Sequence, residues 1–527
     1  MTTRNYLLIL VLILFTLLFL KTDYRLEEDI YCCKDDHDYF AHAETISIDF
    51  DFNYSNQFEG FETERFYYKG KTAPIGFFGS GLLASPFLLI GNLVDKIITN
   101  SNLYNFKILL YSLSSIFYLF FSFSILLKIQ KLVNNTFNPF LLYLFLIGSG
   151  VIYFAFERYS MSHIYEVFSI LLLILYSIKF YTSENINSKY AIYIPLSILL
   201  ALLVRWVNVY VVLIPLIVKL LFFEKSIKLH KSKLFIFSCI FSCILFCLHS
   251  YLIYGVVSFN PEFVYGFSGT LETFLNENIS IVSFVLNNLL NFINILFGYE
   301  FGLIWFSPIV FFGLYLLIKE TFFSSNNAIK QKLVYLLGIL CYFQIFSIIL
   351  IWKTTASSYG FRYAMNLAPL AILYLIASKN INRYEMNILK YLSIFSAFSV
   401  LFFETNIGTQ LSTEYITNSF GKVTKFSQPN YLIGYINSFV DLESYLKIFA
   451  QSYLGFVFFG LVFKFVSVDN FISFLSNFSQ SAYNSDLQNL FFKIKQIEVY
   501  KVLIVIVIIS FLVINLMKDT SKFKSYS

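Results

Sequence analysis

The sequence predicts an all-α, polytopic membrane protein with about 13 transmembrane helices and interfacial helices in its first outer loop. Three observations carry that expectation. Of 527 residues, 57% are hydrophobic and 13% charged, whereas soluble domains run about 45–50% apolar and about 25% charged. The mean hydropathy is +0.69. The apolar residues fall in blocks of roughly 16–25, each long enough to cross a hydrocarbon core of ~30 Å. The ~10-residue alternating segments of a membrane barrel are not seen. A soluble multidomain enzyme and a disordered chain are both excluded, and no nucleic-acid partner is expected.

Residues 6–20 form an apolar run after Arg4 that is followed by Lys21-Thr22-Asp23. No small-x-small cleavage site is present there, so the run reads as an uncleaved first helix. Residues 76–98 are apolar but are interrupted by Gly76, Gly79, Gly81, Gly91 and Pro86, with Pro74 just ahead of them. They are expected to form one or two helices lying at the outer interface. Gly76, Ser80 and Ala84 have the spacing of a close helix contact. Further spans are expected near 103–127, 138–156, 160–180, 190–204, 207–223, 234–254, 300–318, 333–352, 364–378, 388–403, 447–466 and 499–517.

With the N-terminus in the cytoplasm, the inner segments collect about 20 of the 38 Lys+Arg, and about 25 of the 32 acids fall outside. The C-terminal Lys518, Lys522 and Lys524 fit badly outside under this count. Six cysteines are too few for a disulfide scaffold.

The first outer loop is the unusual part. Residues 21–75 carry 13 Asp+Glu against six Lys+Arg. Within it, Tyr39, Ala43 and Ile46 share one helical face. A short amphipathic helix fits there, with Asp35 or Asp36 near its N-terminus, where the helix dipole favours an acid. A solvated acidic loop is the plainer reading. A carboxylate at a membrane–water boundary, however, can act as a general base for an acceptor hydroxyl. Asp38 and His42 stand four residues apart beside Asp35 and Asp36, a set that could hold a divalent ion. Such polar pairs are common on exposed helices, and no cofactor is expected.

These residues resemble the GT-C superfamily of membrane glycosyltransferases, in particular bacterial relatives of protein O-mannosyltransferases and of the lipid A aminoarabinose transferase. The resemblance lies in Asp35-Asp36-His37-Asp38-Tyr39, then Asp49-Phe50-Asp51, then the run from Thr72-Ala73-Pro74 to Ser85-Pro86. It continues in Tyr159-Ser160-Met161-Ser162-His163, in Gly302 through Pro308, and in Tyr359-Gly360-Phe361-Arg362-Tyr363. Many relatives have a His just before the interfacial Pro, where this chain has Lys71-Thr72-Ala73-Pro74. The resemblance covers residues 1–380, which form the expected catalytic module with an outer loop over 21–102. Residues 381–527 form a C-terminal transmembrane region with an outer loop over 404–446.

The resemblance implies inverting transfer of a sugar from a polyprenyl-phosphate donor to a lipid, glycan or protein acceptor. It also implies a bacterial inner-membrane location with the site on the periplasmic face. Such chemistry needs a base, for which Asp35 and Asp36 are the candidates, with Tyr39 beside them. It needs cations for the phosphate. Arg158, Arg205 and Arg362 are expected near the outer boundary, where a guanidinium can bind two phosphate oxygens or simply anchor the interface. Lys71 and Lys353 are weaker candidates. His163 and Glu166 are i,i+3 near the outer end of their span and read either as a substrate-facing wall or as a packing pair. Glu300 is a further candidate. An O-antigen polymerase or ligase and a lipid or sugar transporter are the rival readings. The first would place its working loop late in the chain, and the second would bury charges at mid-span.

Overall fold

The computed structural model describes residues 34–58, 66–68, 71–98, 106–133, 137–183, 185–223, 228–257, 270–276, 279–298, 302–324, 328–350, 359–378, 380–400, 452–478, 485–497 and 499–524, with a few isolated positions besides. Most of the first predicted helix, Lys353, Glu300 and nearly all of the 404–446 loop lie outside the described residues.

The described chain is a helical bundle with one two-stranded ribbon. Helix α1 (Lys34–Glu44) is the amphipathic helix expected in the first outer loop. Strands β1 (Phe66–Tyr68) and β2 (Lys71–Ala73) pair antiparallel, Phe66 opposite Ala73 and Tyr68 opposite Lys71. Helix α2 (Phe78–Ile98) is continuous through Pro86. The glycines expected to break it are its contact points instead. Gly79 lies on the backbone of Leu203 and Val204, and Gly91 on that of Phe106 and Lys107. A side chain at either would hold the helices apart. Although α2 is long and apolar enough to cross a membrane, it runs antiparallel to only the first half of α3 (Phe106–Leu132), with Tyr118 donating to the Leu83 carbonyl at 2.9 Å.

Next come α4 (Pro139–Leu146) and α5 (Ile152–Phe156), joined by a widened turn in which Gly150 has φ +85°. Helices α6 (His163–Thr182), α7 (Tyr190–Val204), α8 (Ile214–Phe222) and α9 (Lys233–Tyr254) lie at the spans expected near 160–180, 190–204, 207–223 and 234–254. The starts and stops are chemical. The Asp95 carboxylate accepts the Phe106 and Lys107 N–H groups at 2.8 Å each and so caps α3. Asn138 caps α4 ahead of Pro139. Helix α9 opens on Ser232 and closes on Gly255.

Helix α10 (Ile281–Phe297) was not predicted; the sequence placed an outer loop there. Then come α11 (Pro308–Ile318), α12 (Ile329–Phe346), α13 (Ala368–Ala377) and α14 (Arg383–Ser399), the last begun by a reciprocal Asn382–Glu385 cap. Near the C-terminus are α15 (Tyr453–Val462), α16 (Val468–Ser476), α17 (Ser485–Gln496) and α18 (Val499–Lys524).

Seven described helices are long and apolar enough to cross a membrane, and five shorter apolar ones accompany them. The expected span at 447–466 is corrected. Helix α15 has ten residues, about 15 Å, which cannot cross ~30 Å. Its end, Gly460, lies at the start of α18 beside Val499. Helix α18 begins with Lys501 4.7 Å from the Phe106 ring and ends with Asp519 within electrostatic reach of Tyr143. It therefore runs parallel to α3. Lys518 consequently falls at the end of the bundle that carries Lys128 and Lys131.

Candidate active site

The site lies at the end of the bundle where α3 and α6 begin, and α1 is the element that reaches down to it. Phe40 meets Tyr111 edge-on at 5.0 Å and Glu44 pairs with Lys107 at 2.9 Å, so one face of α1 is fixed along α3. Asp38 accepts the Ile75 and Gly76 N–H groups at 3.1 Å each, which ties α1 to the entry of α2. His42 is fully buried between the Tyr54 hydroxyl at 2.8 Å and the Gly76 carbonyl at 2.9 Å. Burial lowers its pKa to about 3, so the ring is neutral. Nε2 donates to the carbonyl and Nδ1 accepts from Tyr54. Both nitrogens are used within the protein, so His42 has no lone pair for the metal site considered from its spacing to Asp38. Among the described residues no three His, Cys, Asp or Glu side chains cluster as metal ligands would.

These contacts aim the N-terminus of α1 into the bundle. Asp36 is 2% exposed; its carboxylate accepts from Arg158 at 3.3 Å and from the Ser160 hydroxyl. Asp35, one residue earlier, is turned differently. Its side chain is 49% exposed, and its Oδ2 lies 3.8 Å from Arg362 Nη2. Tyr39 is buried beside Ser162, and burial together with the nearby Asp35 pushes its phenol above the ordinary value.

The second half of the site is built on Glu166, which is fully buried. Its Oε2 accepts from His163 Nδ1 at 2.9 Å and from Arg205 Nη1 at 3.3 Å. The 3.4 Å approach of Arg205 to His163 is then two donors meeting on one carboxylate oxygen. Oε1 accepts from Asn208 at 3.1 Å. The Arg205 and Arg362 guanidiniums both lie on Tyr363, 4.7 and 5.3 Å from its ring centroid. The Nε–H groups of both arginines are buried and find no acceptor among the described residues.

The loop that carries Arg362 is held from behind. Tyr359 is stacked on Tyr153 at 5.4 Å and donates to the Ser396 carbonyl at 2.8 Å. Its ring lies against Gly150, where a side chain would collide with it. Of the residues singled out from the sequence, Asp35, His163, Glu166, Arg205 and Arg362 are joined through Glu166 and Tyr363, Asp36 and Arg158 form a second pair, and Tyr39 is bonded to Ser162 beside them. Lys71 is elsewhere. Its Nζ donates to the Leu252 carbonyl at 2.7 Å and closes the end of α9. Sequence reasoning assigned nothing to Ser160, Tyr363, Asn208 or Asn366. The last two stand three and four residues after Arg205 and Arg362, a parallel spacing that was there to be read.

No family model matches the chain, and no curated protein does. Among solved structures it is similar to the oligosaccharyltransferase of Archaeoglobus fulgidus. One crystal form is tethered to an acceptor peptide containing the NVT sequon (TM-score 0.37, 12% identity, 87% of this chain and 57% of that one). The apo form scores 0.37 at 12% identity, over 89% and 59%. A complex of AglB, the same organism's oligosaccharyltransferase, with an inhibitory peptide and a dolichol-phosphate scores 0.33 at 11% identity, again over 89% and 59%. The chain thus spans under three-fifths of the length of these proteins. At such scores the likeness carries neither fold nor activity, and both rest on the residues of this chain.

Proposed function

We propose that this chain is a membrane glycosyltransferase that moves a sugar from a polyprenyl-phosphate donor to a hydroxyl-bearing acceptor at the outer face of the membrane. The observation that supports this reading is the pairing of unlike groups at one place. Arg205 and Arg362 share Tyr363 and keep buried N–H donors without acceptors, and buried donors in native proteins are nearly always satisfied. An anionic group such as a phosphate satisfies two guanidiniums well. Beside them stands the half-exposed Asp35 carboxylate. Asp35 takes the proton of the acceptor hydroxyl as its oxygen attacks the anomeric carbon. The bond from that carbon to the phosphate oxygen breaks, and the new negative charge on the phosphate falls to the two arginines. Asp36 is the anchor, because its oxygens are already occupied by Arg158 and Ser160. Attack opposite the leaving phosphate inverts the anomeric carbon.

The test is transfer from a polyprenyl-phosphate sugar by purified protein. Asp35→Asn is expected to lower turnover at least about a hundredfold, the usual contribution of a general base, with an unchanged unfolding temperature. Full activity in Asp35→Asn would end the assignment of the base.

A further inference from the structure

Arg205 and Arg362 come from separate parts of the chain, yet a phosphate clamp needs them at a fixed separation. Each is followed, within one turn of helix, by a fully buried asparagine. Arg205 and Asn208 close one tight turn, with the Asn208 N–H bonded to the Arg205 carbonyl at 3.1 Å. Arg362 and Asn366 lie in a single short helix, Arg362–Leu367. The two asparagines meet amide to amide: Asn366 Nδ2 donates to Asn208 Oδ1 at 2.6 Å. Asn208 spends its own N–H on Glu166 at 3.1 Å and on the Ala201 carbonyl at 3.2 Å. Tyr210 donates to the Asn366 carbonyl at 2.8 Å and holds the Arg362 turn from the same side.

We infer that the Asn208–Asn366 bridge sets the spacing of the two arginines, with Asn366 as the positioning residue through which the Arg362 turn is registered against the Glu166–Arg205 pair. Neither amide is the phosphate ligand; each acts through the arginine of its own turn. The geometry favours this role over plain packing. A side chain that only fills space between α6, α7 and α13 needs no polar atoms, and burying two amides is costly unless they are bonded. The bridge also runs in one direction. Glu166 accepts from Asn208, whose Oδ1 is thereby left as the acceptor that Asn366 satisfies. An aliphatic residue at 366 preserves volume and loses the register. This inference rests on the reading of Arg205 and Arg362 as ligands of a phosphate.

The experiment measures binding of farnesyl phosphate, and separately of farnesol, to the full chain in nanodiscs. Wild type, Arg362→Ala, Asn366→Leu and Asn366→Ser are compared, the serine variant keeping the measurement interpretable where the leucine one folds poorly. Losing one buried hydrogen bond corresponds to a weakening on the order of tenfold. That loss is expected in both Asn366 variants for farnesyl phosphate only, with farnesol bound as by wild type. Equal losses for phosphate and alcohol would mean general repacking and overturn the positioning role. Wild-type affinity in both Asn366 variants, with Arg362→Ala still impaired, would overturn this inference alone. Failure of wild type to prefer the phosphate over the alcohol would overturn the reading of the site itself, and the inference with it.

Discussion

Asp35 and Asp36 are the same chemical group one peptide bond apart, and the fold gives them opposite surroundings. Successive residues on a helix point about 100° apart, so when α1 docks by Phe40 and Glu44 only one of the two can face the Arg158–Ser160 wall. That residue is Asp36, only 2% exposed. Asp36→Asn leaves Arg158 buried without its carboxylate, and such a break typically costs about 3–5 kcal/mol. A fall in unfolding temperature is therefore expected there and not in Asp35→Asn. Scanning calorimetry in detergent separates the two, and equal stability of both variants would contradict the assignment of Asp36 as the anchor. His42 makes a second prediction. Its folded pKa of about 3 is below the ordinary 6.5. Its contribution to stability is therefore fully present above about pH 6.5 and is lost as pH falls toward 3. The slope is at most about 1.4 kcal/mol per pH unit. His42→Gln is expected to flatten this acid limb of a stability–pH curve; an unchanged limb would place the buried proton elsewhere.

At the scale of elements, two positions decide how parts meet. Gly150 has φ +85° and lies under the Tyr359 ring. Gly150→Ala combines a left-handed backbone with a collision, so a loss of about 1–3 kcal/mol is expected. A loss of activity should accompany it, because Tyr359 stands three residues before Arg362. A thermally normal, fully active Gly150→Ala protein would show that the loop does not lean on this turn. Asp95→Ala removes both acceptors at the start of α3 and is expected to cost about 1 kcal/mol. The elements also show what could be read in advance. Helix α1 was legible because Tyr39, Ala43 and Ile46 keep a helical period in an acidic loop. Helix α10 was not. Asn287, Asn288, Asn291 and Asn294 dilute its hydropathy, although they follow a helical stripe that a search for average hydropathy overlooks. The 447–466 stretch failed the other way. It has the composition of a span, but the chain leaves the helix at Val462 and turns into α16. Asn208 and Asn366 gave no signal as single amides in apolar runs; only their matched offsets from two arginines mark them.

For the whole molecule, the ends of the bundle differ in charge. Helices α3 and α6 start at the site and run to Lys128, Lys131 and Lys179, and α18 runs the same way to Lys518. Lys319 and Glu385 pair at that far end, at 2.6 Å. Loops rich in Lys and Arg stay in the cytoplasm, so the acidic first loop and the site should face outward. In spheroplasts, a membrane-impermeant thiol reagent is expected to label Asn56→Cys and to miss Lys189→Cys until the membrane is opened. This needs a background in which the native cysteines are removed. The reverse pattern would invert the topology and place the reaction on the cytoplasmic face.

The parallel course of α3 and α18 also has a consequence for biogenesis. Helix α3 leaves the ribosome early, yet the flank of it around Phe106 is covered by Lys501 and its neighbours, which are made after every other described helix. Until then that flank must face lipid or an insertion factor. Contacts so distant in sequence form late and slowly. Shortening the chain by α18 alone should therefore leave the site residues in place on paper and yield, in cells, a half-open bundle cleared by membrane proteases. Pulse-chase turnover of that truncation, compared with the full chain, would reveal it.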